Sequence, residues 1–138
     1  MANERRMSAD ETRDVLERYF AADHGVGEVM ADDAVFRVMA TGEEYRGPEA
    51  IGQMLDFFYH RAFTAEARTR NLVIGEGSAV GEWEFVGRHT GEFAGVPATG
   101  KDVNVPLCVA YDLRDGKIVE GRVYFETPAF LAQVGALG

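Results

Sequence analysis

An α+β domain with helices packed on one face of an antiparallel sheet is what this sequence predicts. The apolar residues first recur at helical spacing, then strand-like, then helical again, and after that the chain is a run of alternating stretches. That order excludes a regular series of parallel βα units. Arg114-Asp115-Gly116 joins two such stretches as a hairpin, and the segment Gly87 to Lys101 punctuates strands with four glycines and a proline.

The first helix starts at Ser8-Ala9-Asp10-Glu11, a capping box in which serine and glutamate satisfy free N–H groups. Residues 1–7 before it are expected to be disordered. Val15, Leu16, Tyr19 and Phe20 recur on one helix face, and the helix is expected to run to about Ala22, with Gly25 and Gly27 ending it. A short helical turn is expected at Glu28 to Ala31, a strand at Ala34 to Met39, and a short extended piece at Tyr45. Pro48 opens a second helix in the first turn, where a missing N–H costs least; Ile51, Met54, Leu55 and Phe58 face inward, and the pattern fades near Arg61.

Strands follow at Arg68 to Ile74 and Ala79 to Phe93, the latter with Trp83, Phe85 and His89 on one face and Glu82, Glu84 and Arg88 on the other. The hairpin strands are Val103 to Leu113 and Lys117 to Glu126, and a last helix spans Pro128 to Val134. Pro106 implies an edge strand or a bulge. The hairpin admits two registers. A two-residue Asp115-Gly116 turn sets Leu107, Val109 and Tyr111 beside Glu120, Arg122 and Tyr124, and a three-residue loop sets Pro106, Cys108 and Ala110 there.

The 138 residues suit one domain, 46% hydrophobic and 27% charged. A net charge of −9 with no basic stripe argues against nucleic acid. No apolar run approaches the ~20 residues of a membrane helix, the N-terminus lacks a signal peptide's apolar stretch, and Cys108 is the only cysteine, which together favour a soluble cytoplasmic protein. Neither serine lies in a nucleophile elbow, and no phosphate loop or dinucleotide fingerprint is present. His24, His60 and His89 lack metal-ligand spacing, so no metal is expected.

Gly87, His89, Gly91, Phe93, Gly95, Val96, Pro97, Thr99, Gly100, Lys101 and Val103 match the pattern G-x-H-x-G-x-F-x-G-[IV]-P-x-T-G-[KR]-x-[VI]. Asp115, Gly116, Lys117, Ile118, Glu126, Leu131, Gln133 and Gly135 match a closing pattern in which D-G-K-I precedes an acid and L-x-Q-L-G. Through these motifs the chain resembles the SnoaL-like branch of the nuclear transport factor 2-like superfamily, over nearly its whole length. The resemblance implies a strongly curved antiparallel sheet wrapped around helices into a cone-shaped pocket, and a homodimer formed through the sheet. It also implies polyketide cyclisation by an intramolecular aldol reaction, with no metal or organic cofactor and an aspartate as acid/base. Glu126 stands for that aspartate, and Gly121-Arg122 stand where many relatives carry His-Trp.

Glu126, Tyr124 and Arg122 share strand parity. If that face lines the pocket, they bring an acid, a hydroxyl and a cation to one substrate oxygen, with Glu126 abstracting a proton beside a carbonyl and Tyr124 or His89 stabilising the enolate. The structural alternatives are that Glu126 caps the last helix and that Arg122 pairs with Glu120 or Glu126. His89 equally suits a hydrogen bond that holds the Gly91 to Gly100 loop. Trp83 and Phe85 are expected in the pocket wall, Tyr19 in the core or reaching the pocket, and His60 at a helix end facing the cone or solvent. Three functions follow: a cofactor-independent cyclase or isomerase acting on a hydrophobic carbonyl compound, a protein that sequesters an aromatic metabolite without chemistry, or hydration or epoxide opening, for which Asp112 and Glu84 are the only nearby strand acids and both have surface explanations.

Overall fold

The computed structural model describes residues 7–21 and 28–136. Three α-helices, α1 (Ala9–Ala21), α2 (Pro48–Asp56) and α3 (Thr127–Gln133), accompany six strands: β1 (Met30–Val38), β2 (Glu43–Arg46), β3 (Phe63–Ile74), β4 (Ser78–His89), β5 (Asp102–Arg114) and β6 (Lys117–Phe125). The strands form one curved, unclosed sheet in the order β2-β1-β6-β5-β4-β3. Neighbours are antiparallel except β1 and β6, a parallel pair whose long intervening chain supplies the crossover that parallel strands require.

The capping box forms: Ser8 Oγ accepts from the Glu11 N–H at 3.1 Å, and Glu11 Oε1 accepts from the Ser8 N–H at 3.0 Å. One turn on, the fully buried Thr12 hydroxyl donates to the Ser8 carbonyl at 2.8 Å and accepts from the Gly77 N–H at 2.9 Å, tying α1 to the β3–β4 turn. Packing starts one residue before the expected limit of disorder, because Met7 is buried. Gly25 and Gly27 lie outside the described residues, as do residues 1–6. The helical turn expected at Glu28 to Ala31 is absent, since Met30 already pairs with Ile118 and begins β1.

After α2 the helix widens into a π-helical segment, Phe57–Ala62, rather than fading near Arg61. β3 then starts at Phe63, five residues earlier than the sequence suggests. Its first half, Phe-Thr-Ala-Glu-Ala, alternates correctly, but alanine and glutamate favour strands weakly and hide the pattern.

Pro106 sits in a central strand with no bulge beside it, contrary to expectation. Its carbonyl accepts from the Glu126 N–H, so its missing donor also points toward residue 126, where β6 has ended. The Glu126 carbonyl is meanwhile taken by Ala129 and Phe130 of α3, so no ladder bond is lost there. The register shifts fall elsewhere, between Thr69 and Asn71, between Asp112 and Leu113 against β6, and between Met30 and Val35 of β1.

The β5–β6 turn has two residues, both at positive φ (Asp115 53°, Gly116 79°), as a type I′ turn demands. The bulge at Val119 then shifts the ladder by one, setting Asp112, Ala110 and Cys108 opposite Glu120, Arg122 and Tyr124. Neither simple register anticipates this. Beyond the end of β6, the Gln133 side-chain amide accepts from the Asn104 N–H and donates to the Asn104 carbonyl, both at 2.7 Å, so α3 continues the ladder that the strand leaves open.

Candidate active site

The helix-facing side of the sheet carries the core. Trp83 and Phe85 project from β4, Leu107, Val109 and Tyr111 from β5, and Val123 and Phe125 from β6, all buried. On the edge strand β3 the inward row is small: Ala65, Ala67 and Thr69 follow Phe63. Small side chains facing large ones leave space, and a cleft of about 250 Å³ opens there. Besides that row it is lined by Phe20, Tyr59, His60, Glu66, Trp83, Leu107, Val109 and Tyr111.

Three of these rings form an aromatic corner. Phe20 meets Trp83 at 5.7 Å and Tyr111 at 6.3 Å between centroids, and Trp83 meets Tyr111 at 6.5 Å and 89°. Gly81 makes the Trp83 position possible, because a Cβ there would lie 1.9 Å from the indole. Tyr19 backs the corner, its ring 6.1 Å from Tyr111, and belongs to the core. His60 is exposed at the end of the π-helical segment and reaches the cleft from its rim.

Tyr111 is the polar feature of the wall. It is 4% exposed, and its hydroxyl makes no hydrogen bond among the described residues. Burial pushes its phenol well above the ordinary value, with the neighbouring Tyr19 and Tyr59 phenols adding to the rise. Tyr19 is raised in the same way by burial. Both therefore stay protonated at neutral pH, which makes a cleft-facing phenol a hydrogen-bond donor and not a base.

The face bearing Glu126, Tyr124 and Arg122 turns away from the helices. Inward positions of β6 are Gly121, Val123 and Phe125, and the alternate residues point to the open side of the sheet. Glu126 and Tyr124 are exposed and line a separate open groove with Glu82, Glu84 and Arg70. Glu126 makes no side-chain cap hydrogen bond to α3. Arg122 donates to Asp112 at 2.8 Å and to Glu120, as its structural alternative foresees, and Arg37 links Glu44 and Glu120 beside it. The premise that this face lines the pocket therefore fails, and with it the grouping of an acid, a hydroxyl and a cation inside the cone. Among the described residues no carboxylate is buried, and no three metal-ligating side chains are grouped to hold an ion.

His89 is fully buried and holds the loop. The Thr99 N–H donates to Nδ1 at 3.3 Å and Thr99 Oγ1 lies 2.9 Å from it, which assigns the ring proton to Nε2. Nε2 has no hydrogen-bond partner among the described residues and sits among rings, with Phe130 at 4.9 Å and Phe63 at 5.5 Å between centroids. Phe85 lies in the next aromatic layer, stacked under Phe58 at 4.5 Å. Of the sequence-predicted residues, the cleft thus brings together Trp83 and His60, with Tyr19 behind them. Sequence reasoning missed Tyr111, although a lone hydroxyl in the otherwise aliphatic row Val103, Val105, Leu107, Val109 was the available signal.

The SnoaL-like polyketide cyclase model matches residues 6–134. The chain belongs to the SnoaL-like polyketide cyclase family. No curated protein matches it significantly. Among solved structures it is similar to a protein assigned to the SnoaL-like polyketide cyclases from Jannaschia sp. CCS1, at 20% identity and TM-score 0.79 over 99% of this chain and 100% of that one. IdmH of Streptomyces antibioticus, described as a polyketide cyclase, aligns at 25% identity and TM-score 0.67 over 92% and 98%. A protein of ketosteroid isomerase-like fold from Catenulispora acidiphila DSM 44928 aligns at 18% and 0.73 over 91% and 95%. These likenesses support the nuclear transport factor 2-like fold expected of the family. No helix among the described residues is long and apolar enough to cross a membrane.

Proposed function

We propose that this SnoaL-like protein carries out cofactor-independent acid–base chemistry of the cyclase or isomerase type on a hydrophobic carbonyl compound bound in the cleft between β3, β5 and the π-helical segment. The observation that carries the reading is the Tyr111 hydroxyl, carried on a buried ring and unpaired among the described residues, in the wall of a cleft whose rim holds His60. A substrate carbonyl oxygen accepts the Tyr111 hydrogen bond. The His60 imidazole takes a proton from the adjacent carbon, the C–H electron pair becomes the enolate C=C bond, and the carbonyl π pair moves onto the oxygen that Tyr111 holds. The imidazolium then returns the proton to another carbon, which is isomerisation. In a cyclisation the enolate carbon attacks a second carbonyl carbon, and the alkoxide formed takes the proton.

Deuterium exchange next to the carbonyl of 1-tetralone in D₂O, followed by NMR, tests this. His60→Gln abolishes exchange above the solvent rate and Tyr111→Phe reduces it strongly, while Glu126→Gln leaves it unchanged. The opposite pattern, with Glu126→Gln inactive and Tyr111→Phe active, restores the glutamate-centred mechanism and refutes ours. A second reading, sequestration of an aromatic metabolite without chemistry, is favoured by the lack of a buried carboxylate among the described residues. Saturable binding with no exchange in the wild-type protein selects it.

We further propose that a homodimer forms through the open face of the sheet, a reading supported by the exposure of Val73, Val80 and Tyr124 there.

A further inference from the structure

We propose that the ligand is a flat aromatic carbonyl compound of one or two rings, and that Phe58 is the residue that sets this limit. The inference rests on the reading of the cleft as the substrate site and adds the size of what enters it.

The cleft occupies only one layer of the cone. Along the inward row of β4, Trp83 borders the cleft and Phe85 marks the next layer. Phe58 fills that layer. It stacks on Phe85 at 4.5 Å and 24° and meets Phe125 edge-on at 4.9 Å, with Phe63 and Phe93 at 5.8 and 5.9 Å. Offset stacking and edge contacts of this kind are favourable geometries for aromatic rings, so the plug is well held. The π-helical segment makes it possible, because the widened turn sends Phe58 into the cone while Tyr59 and His60 face the cleft.

The remaining 250 Å³ limits the occupant. A dry apolar cavity of about 150 Å³ takes one benzene, so the space walled by the described residues encloses one substituted ring or two fused rings, and a third ring has to stand outside it. Among the described residues no lysine or arginine lines it. An anionic headgroup therefore finds no counter-charge there, and the Tyr111 hydroxyl selects a neutral acceptor oxygen. The floor is set by Ala65 and Ala67, whose small side chains keep the space open.

Trp83 is the only tryptophan in the chain and borders the cleft, so its fluorescence reports occupancy, with calorimetric titration as a second readout. The probes are acetophenone, 1-tetralone and 9-fluorenone, with one, two and three rings. Wild-type protein binds the first two, and 9-fluorenone at least about tenfold more weakly than 1-tetralone, a size penalty of ordinary steric magnitude. Phe58→Leu narrows that gap to within about threefold by opening the second layer, and Ala67→Leu weakens 1-tetralone about tenfold by filling the first. Circular dichroism checks that both variants are folded. Equal binding of 9-fluorenone and 1-tetralone to wild-type protein, or a folded Phe58→Leu variant with an unchanged ratio, overturns the size limit alone. If none of the three ketones binds, the cleft is not the substrate site, and the proposed function and this inference fall together.

Discussion

Removing the Tyr111 hydroxyl has opposite expected effects on stability and on function. In Tyr111→Phe the ring and its packing against Tyr19, Phe20, Phe36 and Trp83 are retained, and only one oxygen is lost. That oxygen is in a residue 4% exposed and makes no hydrogen bond among the described residues. Burial of a hydroxyl without a partner costs about 1–3 kcal/mol in protein mutational data. Part of this cost is relieved by contact with the cleft, so the variant is expected to be more stable by about 1 kcal/mol. For a chain of this length that raises the melting temperature by about 3–5 °C. Catalysis moves the other way, because an enolate loses a donor. One such donor is worth about 10²–10³ in rate. Urea denaturation, with the slope against denaturant unchanged, gives the stability difference, and ketone deuterium exchange gives the rate. A Tyr111→Phe protein destabilised by more than about 0.5 kcal/mol would show that the hydroxyl has a structural partner, since loss of a hydrogen bond costs roughly that much or more. The donor role would then be refuted.

Three further outcomes are expected. Thr12→Val keeps the shape but strips the half-buried Gly77 N–H of its acceptor, and should cost about 0.5–1.5 kcal/mol in urea denaturation; a loss below about 0.3 kcal/mol would mean that Thr12 does not tie α1 to the β3–β4 turn. His89→Leu removes the acceptor of the Thr99 N–H and should expose the loop between Thr90 and Gly100 to limited proteolysis, detected by mass spectrometry of the fragments; resistance equal to wild type counts against the lock. Arg122 holds the Asp112 carboxyl below its usual range through their hydrogen bond, so this pair stabilises the fold above the unfolded carboxyl pKa and the contribution is lost as pH falls through the lower folded value. Arg122→Met should therefore be less stable than wild type by roughly 0.5–1 kcal/mol at pH 7, the range for partly exposed pairs, with the difference shrinking toward pH 3; a pH-independent difference would show that packing, not charge, is what was lost.

The fold was legible wherever side-chain period and turn chemistry act locally. Ser8 and Glu11 announce α1, Pro48 announces α2, and Asp115-Gly116 announces a hairpin, whose turn takes the shorter of the two lengths the sequence admits. The misreadings came from long-range geometry. Pro106 is tolerated in a central strand because β6 ends opposite its missing donor, a fact about another strand. The bulge at Val119 moves the β5–β6 ladder by one residue, and bulges leave little trace in a single sequence. The start of β3 was hidden because Ala65, Glu66 and Ala67 favour strands weakly, although those same small residues are what open the cleft.

The site was harder to read for a related reason. Parity groups Glu126 with Tyr124 and Arg122, and that grouping holds, but parity does not say which side of a sheet the helices cover. Burial of Val123 and Phe125 decides it, and puts the carboxylate on the open side. The β6 position where many relatives carry histidine faces the core, yet here it is Gly121, and Phe36 lies so close that a Cβ there would be 2.7 Å from its ring. At this position of β6 the ring of Phe36 leaves no room for a polar side chain. The groups to which we assign the chemistry stand across the sheet, at Tyr111 on β5 and His60 on the π-helical segment, against the small row of β3. A carbonyl ligand bound there would be activated from the β5 side, and the acid at the end of β6 would take no part.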